Sequence, residues 1–302
     1  MTSLMTRLMS VGLVAVALST PAYATENGQT TYPFGVNTVL NGILPPPGAT
    51  QFFNYFQYYS ANEFAGSDGK SDVPGFHLSA VVDAPRVIHT WGDTLGPFTL
   101  SSGLIVPIVH LHLSTPGGTG NRTSLGDVQL DPLMLGYANA SKSFFAYFTP
   151  TIGLPTGAFS ANRIANTGLN SYAFMPNIDV TWFPQPNWEI SATAMYEVNS
   201  PDRATDYHSG NVAMLDYVIG YSLKPNLQIG LQGTFLKQLT NDTQNGLSVG
   251  PDGFKGQAVA IGPQLRYMWG PGSGIVIKYQ REFAVRNQPE GNKFWVQLTF
   301  PI

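Results

Sequence analysis

The chain predicts an all-β protein: a transmembrane, antiparallel, up-and-down β-barrel of about twelve strands, of the outer-membrane type. Three observations point there: strands of period two, connections that alternate between short and long, and tryptophans gathered beside the short ones. In "NLQIGLQGTFLKQ", Asn226 to Gln238, Leu227, Ile229, Leu231 and Phe235 share one parity, and Gln228, Gln232, Thr234 and Gln238 the other. That is a strand with one apolar and one polar face. A soluble sandwich would turn the apolar face inward and a membrane barrel would turn it to lipid, so alternation alone leaves both open.

Composition narrows the choice. Charged residues make up 11% of the chain, against about 25% in an ordinary soluble domain, a shortage expected where much of the exterior faces lipid. There is no cysteine, so stability must come from size or closure and not from a disulfide framework. The net charge of -3 and the lack of a basic run propose no nucleic-acid partner.

Residues 1–24 read as a signal peptide. Arg7 supplies the positive start, Leu8 to Ser19 the short apolar run, and Ala22-Tyr23-Ala24 the cleavage site. No second apolar run is long enough for a membrane helix. Residues 25–50 form a Pro-rich arm in which Pro45, Pro46 and Pro47 oppose a regular ladder. Its composition suits a plug in the pore or a periplasmic tether equally.

Residues 51–302 form the barrel. Strand-like segments run over 51–60, 75–90, 96–113, 126–138, 142–154, 170–183, 187–200, 209–222, 226–240, 257–269, 273–285 and 292–302. Short links are "GDTL", "NAS", "PQP", "LKP" and "GPG"; long polar loops are "ANEFAGSDGKSDVP", "STPGGTGNRTSLG", "PTGAFSANRIANTGL", "PDRATDYHSG" and "NDTQNGLSVGPDGFKG". Short turns on one rim and long loops on the other are the barrel's habit. Trp91, Trp182, Trp188 and Trp269 lie beside short turns, as a membrane-interface girdle requires, because the indole ring is apolar while its N–H seeks water. The Leu227 face therefore meets lipid.

The same rule orients the other strands and yields the lumen candidates for solute binding. Asp127, Gln129, Asp131 and Asp179 point inward, as do Glu189 and Glu197 opposite the outward Trp188, Ile190 and Tyr196. Asp216, Gln264 and Arg266 follow, then Lys278, Gln280 and Glu282 opposite Ile275, Ile277, Tyr279 and Phe283. Both charge signs meet in the lumen, so these side chains either brace the barrel or contact solute.

No catalytic residue is expected. Twelve-stranded outer-membrane phospholipases carry a His and a Ser one residue apart on a strand, whereas "DYHSG" places His208 and Ser209 side by side. Adjacent strand side chains point to opposite faces and cannot form the activating hydrogen bond. His110 and His112 share a face, read as lumenal near the outer rim, and without a third ligand no metal is assigned. "GPGSG" lacks a P-loop lysine, and no cofactor is implied.

Several stretches occur in the order found in one known family: "GDVQLDPLML" (126–135), "PTGAF" (155–159), "NTGLNSYAFMPNIDVTWF" (166–183), "YHSGN" (207–211), "GLQGTFLKQLTND" (230–242) and "IGPQLRYMW" (261–269). Across most of the chain beyond the signal peptide, the sequence resembles the bacterial family of outer-membrane, channel-like proteins associated with meta-pathway phenol degradation. The resemblance implies a barrel for entry of hydrophobic or aromatic small molecules and no catalytic residue. One departure is the C-terminus, where Ile302 stands in place of the usual aromatic residue, although Phe294, Val296, Leu298 and Phe300 keep the outward alternation.

The expected function is passive uptake of small hydrophobic or aromatic compounds through a monomeric outer-membrane channel. Its partners would be outer-membrane lipid, the solutes and the barrel-assembly machinery. An outer-membrane barrel hydrolase and a closed structural or adhesive barrel are the alternatives.

Overall fold

The computed structural model describes residues 29–302. The expected signal peptide and the start of the arm lie outside the described residues.

Fourteen strands share one antiparallel sheet. They are β1 (Thr50–Ala65), β2 (His77–Leu95), β3 (Phe98–Ile105), β4 (Ile108–Thr115), β5 (Gly118–Leu125), β6 (Val128–Ala138), β7 (Phe144–Leu154), β8 (Ala173–Trp182) and β9 (Trp188–Asn199). Then come β11 (Val212–Lys224), β12 (Leu227–Gln238), β15 (Gln257–Gly270), β16 (Ser273–Arg286) and β17 (Gln288–Pro301). β1 pairs with both β17 and β2, which closes the sheet into a barrel. β3 and β4 are two halves of one pass, and so are β5 and β6; the wall therefore has twelve passes. β10 (Tyr207–His208), β13 (Thr243–Gln244) and β14 (Leu247–Ser248) make a small separate sheet.

Two interruptions depart from the sequence reading. The segment 96–113 is not one strand, because it breaks at Val106-Pro107, where proline has no N–H to give to a ladder. The adjacent Val106 N–H bonds instead to Pro85 O at 3.1 Å. The polar stretch "STPGGTGNRTSLG" is not a long loop: β4 turns tightly into β5, with Gly118 at φ 133°. Gly, Asn, Arg and Ser hide this strand from a search for apolar alternation. β2 also continues through Leu95, so its turn is Gly96-Pro97 and not "GDTL".

The exterior follows the lipid-facing rule through most of the wall. Ile229, Leu231 and Phe235 are exposed, while Gln228, Gln232, Thr234 and Gln238 are buried inside. A twelve-stranded barrel leaves space that side chains alone only partly fill. Here the arm enters that space: Tyr32 and Val36 pack in one buried cluster with Tyr55, Met175, Met195, Met214, Leu236 and Trp295.

Candidate functional site

The arm is held chiefly through its backbone, and half of the sequence-chosen lumen residues hold it. Glu197 accepts the N–H groups of Thr31 and Tyr32 at 3.0 and 3.4 Å. Asp216 accepts those of Gly35 and Asn37 at 2.8 and 3.1 Å, together with the Tyr32 hydroxyl. Glu189 accepts Leu40 N–H at 2.9 Å, and Gln264 exchanges two bonds with Thr38. Lys278 Nζ donates to the carbonyls of Gly35 and Val36 at 2.8 and 2.6 Å. Gln129 donates to Thr31 O. Carboxylates thus meet amide hydrogens and the ammonium meets carbonyls, so charge-assisted bonds satisfy an irregular segment that has no ladder of its own.

The remaining candidates brace the wall. Arg266 pairs with Glu189 at 2.6 Å and Lys293 with Glu282 at 2.9 Å. Gln280 bridges Gln232 and the Trp295 indole. Asp131 takes Arg86 at 2.8 Å and the Thr151 hydroxyl at 2.6 Å, and Asp179 takes Thr193. Asp127 accepts Gly157 and Leu169 N–H and so ties down the loop between β7 and β8.

Beside the arm lies a cavity of about 320 Å³. One end is apolar, walled by Phe64, Phe76, Leu78, Val109, Leu111 and Leu113; the other carries Tyr55, Arg86, Gln129, Asp131, Tyr147 and Asn177. Sequence reasoning missed this apolar end because it sits where the lipid rule inverts. In β4 the apolar Leu111 and Leu113 are buried, while on the opposite, outer face His110 is exposed and His112 half-buried. The two histidines are therefore not lumenal, which corrects the expectation. The paired outward residues of β2 and β5 there are also polar, Ser79 facing His112 and Asn121 beyond it. Water rather than lipid suits that surface, so the apolar side turns inward as in a soluble sheet. Histidine and serine concentrated on one parity of "HLS" and "VHLHLS" were the available signal.

The single-residue His-x-Ser spacing also occurs, at His77-Leu78-Ser79 and His112-Leu113-Ser114. In both the histidine Nδ1 is bound to an asparagine Oδ1, Asn62 or Asn121, and among the described residues no hydrogen bond joins histidine to serine. The four tryptophans beside the short turns are exposed, whereas Trp295 is buried in the lumen.

A closed barrel with an apolar exterior and a segment-filled, cavity-bearing interior is a barrel of the outer-membrane channel type. The chain belongs to the family described as "Putative MetA-pathway of phenol degradation", whose model matches residues 61–298. Among solved structures it is similar to an outer membrane channel from Pseudomonas putida F1, at 15% identity and a TM-score of 0.78, over 88% of this chain and all of that one. The beta domain of the Bordetella autotransporter BrkA matches at 11% identity and a TM-score of 0.53, over 84% of this chain and all of that one. The NalP translocator domain from Neisseria meningitidis gives 9% and 0.50, over 84% of this chain and 89% of that one. These likenesses concern the fold. No curated protein matches the sequence.

Proposed function

We propose that the protein is a passive outer-membrane channel for small hydrophobic or aromatic compounds, with residues 29–49 acting as a plug. The observation that carries this reading is the cavity beside the arm, apolar toward Phe64, Phe76 and Leu111 and open to polar lumen groups at its other end. An apolar pocket with a few convergent polar groups is the usual form of a small-molecule site. The family description and the channel fold agree with transport of this kind. In this reading Asp216, Glu189, Glu197, Gln129, Gln264 and Lys278 act on solute indirectly, by seating the plug. Trp91, Trp182, Trp188 and Trp269 form the interface girdle.

The test is solute entry into lipopolysaccharide-containing liposomes carrying the mature protein, compared with empty ones. Phenol should enter faster with the protein present and glucose should not. Equal acceleration of both would make it a general pore, and acceleration of neither would reject the channel.

A further inference from the structure

The water-facing side of the inverted sheet brings together two histidines that are remote in sequence. His77 of β2 and His112 of β4 have ring centroids 5.6 Å apart. His112 faces Ser79 across the β2–β4 ladder and His77 faces Ser114, so the two are diagonal neighbours on one face. The order of residues offers only His110 as company for His112; the fold adds a histidine from another strand.

Each ring is held from its far side. Asn62, at the β1 bulge between Ala61 and Glu63, accepts His77 Nδ1–H at 2.8 Å, and Asn121 of β5 accepts His112 Nδ1–H at 2.5 Å. Across the neighbouring strands β1, β2, β4 and β5 the row therefore reads Asn62, His77, His112, Asn121. An amide oxygen only accepts, so both protons sit on Nδ1 and each Nε2 keeps its lone pair. With each Nδ1 turned to an end of the row, the ring edges that carry Nε2 lie on its inner side. Neither Nε2 has a hydrogen bond among the described residues and neither is buried, so both meet water.

A neutral imidazole whose other nitrogen donates to an oxygen is the form in which histidine holds a metal. Metal–Nε2 bonds of about 2.0–2.1 Å at a tetrahedral or somewhat wider angle put two ring centroids about 5–6 Å apart. The observed spacing falls there. No group of three or more His, Cys, Asp or Glu side chains forms a metal cage among the described residues, so water completes the shell. Such a site ranks first-row ions by the usual order of stability, with Cu²⁺ at its head.

We infer that His77 and His112 form a two-histidine site for a divalent transition metal, Cu²⁺ before Ni²⁺ or Zn²⁺, on the outer face of the wall. A metal there ties β2 to β4 on the side opposite Leu78, Leu111 and Leu113, which wall the cavity. The site is independent of what the cavity carries.

The test is titration of the refolded protein with Cu²⁺ in a non-coordinating buffer, followed by electron paramagnetic resonance. One Cu²⁺ per chain with nitrogen splitting from two imidazoles is expected. His77→Ala and His112→Ala should each reduce that signal to at most one imidazole, and His110→Ala should leave it intact. Asn62→Ala and Asn121→Ala should each weaken binding about tenfold to a hundredfold, the usual worth of the group that orients a ligating histidine. Circular dichroism of each variant checks that the barrel has formed. A two-imidazole signal that survives His77→Ala and is lost with His110→Ala would assign the metal to neighbours on β4 and overturn the inference. So would the absence of any two-imidazole signal in the unaltered protein.

Discussion

Asp216 and Gly35, 181 positions apart, are joined by a 2.8 Å bond from the Gly35 amide to the buried carboxylate. The same carboxylate takes Asn37 N–H and the Tyr32 hydroxyl, while Lys278 holds the Gly35 carbonyl from the other side. Gly35 sits at φ +92°, a conformation that a side chain would strain. The arm is therefore seated at one tight turn between a carboxylate and an ammonium.

Asp216→Ala should unseat that turn. It leaves two backbone amides and a phenol without their acceptor, at about 1–3 kcal/mol for each group that stays buried. The expected result is a larger and noisier conductance in planar bilayers with little change in barrel content by circular dichroism. Unchanged conductance would place the arm outside the conducting path.

Gly42→Ala should act at the arm's other end. A Cβ there would meet Thr181 N at 2.6 Å and Phe145 O at 2.5 Å, both backbone atoms of the wall that cannot swing aside. We expect increased protease cleavage within residues 29–49 in the refolded protein, with the barrel strands still resistant.

Arg86→Met should lower thermal stability by about 3–5 kcal/mol, because Asp131 stays buried without its partner. Adding Asp131→Asn should recover most of that loss. A double variant no more stable than the single one would show that the pair does not act as a unit.

The inverted face can be tested by labelling, since the chain has no cysteine of its own. Single cysteines at His110 and His112 should react with a membrane-impermeant maleimide in intact liposomes, and one at Leu111 should react far more slowly. Equal reactivity at the three positions would reject the burial of Leu111.

In the outer loop, burial pushes the Asp242 carboxyl above the usual carboxylate range, against hydrogen bonds from Tyr207 O–H, Gly210 N–H and Gln238 that lower it. A raised folded value means that the folded loop binds the proton more readily than the unfolded chain. Its contribution is present below the unfolded value near 4 and is lost as pH rises through the folded one. Hydrogen exchange of the Tyr207–Gly210 amides, corrected for intrinsic rate, should slow on acidification from neutral pH toward the unfolded value near 4. Asp242→Asn should remove that dependence.

The barrel was legible because each lipid-facing strand carries its orientation in its own alternation. Ile229, Leu231 and Phe235 against Gln228 and Gln232 needed no neighbour to be read. The lumen charges were legible for the same reason, but their tasks were not. Nothing in the order of residues says that Asp216 binds Gly35 or that Glu189 binds Arg266, since these pairs join segments that are neither sequential nor neighbouring strands. Arg86, Tyr55 and Tyr147 went unnoticed because each lies in a segment whose apolar residues occur on both parities.

By itself the sequence determined the class of wall: period two, sparse charge and tryptophans at short turns admit little besides a membrane barrel. Tertiary structure alone decided which face of a strand is inside where the wall leaves the lipid, as at Leu111 and His112. It also decided what fills the lumen. The physical reason is that alternation records only that a strand's two faces meet different surroundings. Which of them is lipid, water or packed protein depends on the height of the strand in the wall and on the arm folded back inside it.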